Sequence, residues 1–233
     1  MIQGFRLSIT YAIYGRLAYL SHLETVEAMR RIVRRARLPY SVSEGFSPHM
    51  RATFGPALPV GASGVEERFD VRLTDYVPAE EALERLRAAA PSNLMPQACE
   101  YVDPDGPALD VALTLSSWQA DFAGGDDPEA TMRGLEAAFG ALLEVGYVEL
   151  VKKKKGKEHV RRVLFSEKLV AGPEFSLVQG ARVRMEFETR QNASGALRPD
   201  LFIDEALEGM EDAPELVALV RTRLREEGGA ESA

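Results

Sequence analysis

Residues 5–13 alternate: Phe5, Leu7, Ile9, Tyr11 and Ile13 fall on one face, Arg6, Ser8, Thr10 and Ala12 on the other. That period of two is a half-buried strand, and Gly15 ends it. The period then changes. Ser21 followed three residues later by Glu24 forms a capping box, which places a helix N-terminus at Ser21. Leu23, Val26, Met29, Ile32, Val33 and Ala36 recur at helical spacing until Pro39 closes the segment. A short extended piece with two prolines follows, and residues 66–73 (EERFDVRL) alternate again. Residues 78–90 (PAEEALERLRAAA) predict a helix with Pro in its first turn, and 94–102 (LMPQACEYV) a further strand. The order βαββαβ is the ferredoxin-like pattern.

The stretch DPDGPA (103–108) reads as a linker or sharp turn. Beyond it the logic restarts, with a strand over 109–117, a helix over 127–145 and a strand over 147–153. A lysine-rich turn, an extended segment over 160–170, a strand over 181–189 and a helix from about Pro199 complete this half. The expected class is therefore α+β, with two tandem ferredoxin-like halves, the second degenerate. The expected divisions are 1–102, 107–208, and a C-terminal piece 209–233 holding a helix over 214–226 and a frayed acidic tail.

The chain has 233 residues, 45% hydrophobic and 27% charged, the composition of an ordinary soluble globular protein. Residues 1–15 lack a basic segment followed by an unbroken apolar run, so no signal peptide is read there. No stretch approaches the roughly 20 apolar residues of a membrane span. A cytoplasmic location without membrane contact is the expectation. Cys99 is the single cysteine, which excludes an internal disulfide and a cysteine metal cluster built from this chain alone. Its setting suggests a small packed residue rather than a reactive thiol.

Net charge is −8, yet its distribution is uneven. Residues 1–60 carry eight Arg against three Glu, and residues 151–165 carry five Lys and two Arg against one Glu. Local potential steers a polyanion more than net charge does, so the acidic total does not exclude RNA. His22, at the first helical position, faces unbonded amides that attract phosphate, and the helix dipole there disfavours its protonation. Arg30, Arg34 and Arg37 share one helical stripe, with Arg31 and Arg35 beside them. Guanidinium suits phosphate because its planar fork meets two oxygens at once, although such a run also serves as a solvated face. Lys153, Lys154 and Lys155 sit at an expected hairpin tip, suited either to backbone contact with nucleic acid or to keeping an exposed edge soluble.

The segment SEGFSPHMR (43–51) concentrates Gly45, Phe46, Pro48, His49 and Arg51 in one turn. It reads as a turn used as the wall of a site, with Phe46 anchoring it in the core. His22 and His49 are set apart by the helix between them, about 22 Å for 15 residues, which argues against a His–His catalytic pair. Phosphate-loop, dinucleotide and zinc-protease motifs are absent from the sequence, and three scattered histidines are weak evidence for a metal.

The blocks GRLAYLSHLE (15–24), the arginine pairs after them and GFSPH (45–49) together resemble a family of uncharacterised bacterial radical-SAM-associated proteins. The segment ALPVG (57–61), the run KKKGK (153–157) and GALRP (195–199) fit the same likeness, which spans about residues 4–208. One departure is Val160-Arg161-Arg162-Val163, where many relatives have an Asp and an Arg-Pro. The resemblance implies a protein that sits beside, or is fused to, a radical SAM protein. With Cys99 alone this chain cannot hold a three-thiolate iron–sulfur cluster, so SAM and the cluster are expected only in that partner.

Three readings follow. The first is an accessory protein binding RNA or another anionic substrate through Arg16, Ser21, His22, Arg30, Arg34, Arg35, Gly45, Phe46, His49, Arg51, Lys153, Lys154, Lys155 and Arg198. The second is a metal-independent RNA endonuclease using His22 or His49 in general acid–base chemistry, by analogy with tandem ferredoxin-like proteins that cut CRISPR RNA. The third is a protein-interaction module that binds no nucleic acid.

Overall fold

The structure is a computed structural model, and it describes residues 4–154, 157–179 and 181–228. It is mixed α+β and divides into two compact units, Met1–Thr114 with Arg221–Ala233, and Leu115–Val220.

The first unit begins with β1 (Phe5–Ile13), a 3-10 turn (Gly15–Tyr19) and α1 (His22–Arg35). It continues with β2 (Ala52–Phe54), β3 (Ser63–Leu73), α2 (Ala79–Ala89), β4 (Leu94–Val102) and α3 (Leu109–Ala112). The capping box forms as its spacing requires: Ser21 Oγ accepts from the Glu24 amide, and the Glu24 carboxylate accepts from the Ser21 amide and hydroxyl. In the sheet, β1 lies between β3 and β4, and β2 adds to the far edge of β3, all antiparallel. Leu7, Ile9, Tyr11 and Ile13 of β1 meet Phe69, Val71 and Leu73 of β3 on the face covered by α1 and α2, whose Met29, Ile32, Val33 and Leu86 complete the core. Burial of this apolar face is what holds the layer together.

The second unit carries most of β5 (Leu113–Ala123), then α4 (Pro128–Val145), β6 (Tyr147–Lys154), β7 (Lys157–Leu164) and α5 (Phe165–Lys168). After these come β8 (Leu169–Val178), β9 (Arg182–Asn192), β10 (Gly195–Ala196) and α6 (Pro199–Glu208). β9 is the central strand, paired antiparallel with β5, β8 and β10, while β6 and β7 form a separate hairpin. Phe139 of α4 and Phe202 of α6 meet edge to face at 5.1 Å, with Phe165 and Phe187 packed on Phe202. Gly146 ends α4 at φ 85°, a left-handed backbone that glycine adopts without a Cβ penalty.

Two expectations need correction. Residues 214–226 are not a helix: they form β11 (Leu216–Glu226), which from Arg221 on belongs to the first unit. Leu219, Arg221 and Leu224 are buried in that strand, and tertiary pairing overrides the helix-forming composition. The strand expected over 109–117 begins instead as the short helix α3, because Leu109 and Leu113 cluster with Leu224 across one apolar spot.

Candidate anion-binding groove

On the sheet face opposite the helices, register brings three arginines into one cross-strand row. Arg6 of β1 is the direct partner of Arg72 of β3, and the Arg72 amide donates to the Arg51 carbonyl at 2.9 Å just before β2. Like charges placed side by side across strands repel. Arg6 is relieved by Asp70, to which Nε donates at 2.7 Å, and both side chains are buried. Arg6 also donates to the carbonyls of Gly106 (2.8 Å) and Pro107 (2.7 Å), and Arg72 to that of Pro104. The segment 103–108 is therefore no free linker. It straps over the sheet face and presents carbonyls to two arginines.

Arg51 is left over. Its side chain is exposed, with no hydrogen-bond or ion-pair partner among the described residues. The row borders a groove of about 880 Å³, bounded also by Ser41, Glu44, Thr53 and Thr74. Buried polar atoms in its wall, Asp70 Oδ1 and Ser41 Oγ, find no hydrogen-bond partner in the protein. Arg51 and Arg72, with the hydroxyls, supply the groups that could hold an oxyanion here, while Arg6 is already engaged and the Asp70 and Glu44 carboxylates oppose an anion.

The turn 43–49 rises between two contributors to this groove, Glu44 and Arg51. Ser43 N donates to His49 O at 2.8 Å, and His49 N donates to Ser43 Oγ at 3.1 Å. His49 Nδ1 lies 2.9 Å from Ser43 Oγ and 3.2 Å from the Ser47 carbonyl. His49 thus braces the turn and leaves Nε2 outward. Gly45 adopts φ 125°, a backbone that favours glycine even though the space beside it is open. Phe46 does not anchor the turn in the core: it is 111% exposed.

His22 lies elsewhere. It borders a second, small cavity of about 20 Å³ together with Tyr11, Thr25, Phe54 and Glu67, room for about one water molecule. Its ring meets Phe54 edge to face at 6.3 Å. Beneath it Arg221 of β11 binds Glu67 of β3 through Nε at 2.8 Å and Nη2 at 2.5 Å, and donates to the Pro56 carbonyl at 2.7 Å. Partial burial lowers the His22 pKa, the Arg221 guanidinium adds to this, and Glu67 opposes it. Burial pushes the Tyr11 phenol far up, helped by Glu67 and opposed by Arg221. The two histidines do not share a site. At the start of α1 the capping box engages the Ser21 and Glu24 amides.

The remaining candidates disperse. Arg30 donates to Glu27 at 2.7 Å, and Arg34 approaches the same carboxylate at 3.8 Å. Arg16, Arg31 and Arg35 are exposed. In the second unit Arg198 is engaged by Asp200. Lys153 and Lys154 continue β6 in register with Glu158 and Lys157, while Lys155 and Gly156 lie outside the described residues. Sequence reasoning missed Lys168, whose buried ammonium donates to Ser194 Oγ at 2.7 Å and to the Gly195 carbonyl at 2.8 Å. It also missed Arg6, Asp70, Arg72, Glu67 and Arg221. Among the described residues no group of three or more His, Cys, Asp or Glu is placed to hold a metal ion, and no helix is long and apolar enough to cross a membrane.

A family model described as "Uncharacterized protein conserved in bacteria (DUF2344)" matches residues 6–199. No curated protein matches the chain. Among solved structures, the chain is similar to the crystal structure of a "putative glycine cleavage system transcriptional repressor", at 9% identity over 81% of each chain, with a TM-score of 0.22. That score is too low to establish a shared fold.

Proposed function

The chain belongs to this family of uncharacterised proteins conserved in bacteria, and we propose that it is an accessory protein whose first unit binds RNA or another anionic substrate. The observation that carries this reading is the pair Arg51 and Arg72 side by side along one groove, with the Arg51 guanidinium unengaged among the described residues. The sequence resemblance adds a radical SAM protein as the partner that performs chemistry on the bound substrate. SAM and the iron–sulfur cluster belong to that partner, since Cys99 is the single thiol here. The finer fold reading, tandem ferredoxin-like halves, draws support from the first unit alone. Its elements run β1-α1-β2-β3-α2-β4 and its strands lie in the order β4-β1-β3-β2.

Salt is the direct test. Binding to a single-stranded oligoribonucleotide should weaken steeply between 50 and 200 mM salt, about tenfold or more. Arg51→Glu and Arg72→Glu should each weaken it about tenfold, since a charge-assisted hydrogen bond contributes about 1.5–3 kcal/mol. A flat salt response would sink the reading.

The nuclease alternative keeps one observation in its favour: a histidine held toward its neutral form, beside Tyr11 and the Glu67–Arg221 pair. Cleavage of labelled RNA in the presence of a chelator, abolished by His22→Ala with binding retained, is its signature.

A further inference from the structure

We propose that Phe46 is a stacking platform for an unpaired nucleobase, belonging to a strand whose phosphate sits on Arg51 and Arg72. The inference rests on the anion-binding reading above and narrows it to single-stranded nucleic acid.

Two features of Phe46 conflict unless something covers it. Its ring is fully in water, which forgoes about 1.5–3 kcal/mol of burial. A lone exposed aromatic is common on mobile loops. This one stands at the tip of a braced turn, closed by the Ser43–His49 backbone and side-chain bonds. Below them the Val42–Met50 bridge ties the stem down, and Met50 is buried in the core. The stem that presents the ring is thus ordered before any ligand arrives, which lowers the ordering cost of binding.

Position supplies the class of ligand. Glu44 and Arg51, on the two stems of the turn, both border the groove. Phe46 is two residues from Glu44, so their backbones are within about 7 Å. An exposed aromatic face two residues along the chain from a groove that holds Arg51 and Arg72 matches a polymer that alternates π surfaces with phosphates. In a duplex the base faces are already stacked, so the matching form is an unpaired base. The guanidinium row takes the backbone without reading sequence, and stacking is equally tolerant of base identity.

The test uses the full chain and three probes: a mixed-sequence single-stranded oligoribonucleotide, a duplex of the same length, and inorganic polyphosphate, which has charge but no base. Phe46→Ala should lower single-strand affinity about tenfold, leave polyphosphate binding unchanged, and reduce the wild-type preference for single strand over duplex. Phe46→Trp should retain affinity, and its fluorescence should be quenched by the single strand; Trp118, the protein's own tryptophan, is buried in the second unit. Equal loss of RNA and polyphosphate binding in Phe46→Ala would overturn base stacking. So would wild-type RNA affinity in that variant while Arg51→Glu still abolishes binding, and the anion reading would then stand. If neither RNA nor polyphosphate binds the wild-type protein, both readings fall.

Discussion

Arg6 Nη2 lies 2.6 Å from Asp70 Oδ2, with both side chains shut away from water on the sheet face opposite the helices. Removing one partner of a buried pair strands the other, at a cost of about 3–5 kcal/mol. Asp70→Ala should therefore lower unfolding stability by roughly that amount, and the double variant Arg6→Met/Asp70→Ala by clearly less. Urea denaturation of Asp70→Ala, Arg6→Met and the double variant checks this, and a double-variant loss equal to the sum of the two single losses would remove the coupling.

His22 makes stability depend on pH in a definite direction. Its folded pKa is lowered below the ordinary 6.5, chiefly by burial and then by Arg221. On acidification the unfolded chain therefore takes up this proton first, so the stability present above pH 6.5 is lost as pH falls through 6.5 toward the folded value. Unfolding measured at pH 5.5 and 7.5 should show greater stability at 7.5, with part of the difference absent in His22→Gln. An imidazole titration midpoint above 6.5 would contradict the assignment.

Cys99 packs against the core of the first unit, and burial pushes its thiol up to about 11, with Arg87 opposing. The thiolate is the nucleophile, so iodoacetamide at pH 8 should modify Cys99 far more slowly in the folded protein than in urea. Labelling at the rate of a free cysteine would show that the thiol is open.

What the sequence made legible is what local pattern controls. The Ser21–Glu24 spacing located the start of α1 because the cap is satisfied within four residues. The turn 43–49 was readable as a turn because glycine and proline announce constrained backbone. Arg6, Asp70 and Arg72 stayed hidden for the opposite reason. Alternation assigns them to a water-facing side, and only carbonyls about 100 residues away, at Gly106 and Pro107, bury Arg6 there. Phe46 failed differently: apolar type implies a core position, whereas this ring stands in water at the tip of its turn. The C-terminal segment reads as a helix on composition, and becomes a strand because Arg221 has to reach Glu67.

That last link also sets a timetable. Glu67 and Arg221 are separated by 154 positions, so a chain emerging from the ribosome translates the whole second unit before the first can close its final strand. Until then the first unit carries a carboxylate without its counter-charge and a sheet edge without its neighbour, the kind of edge that recruits strangers. The first unit is thus begun first and completed last, because its final strand is made only after the second unit.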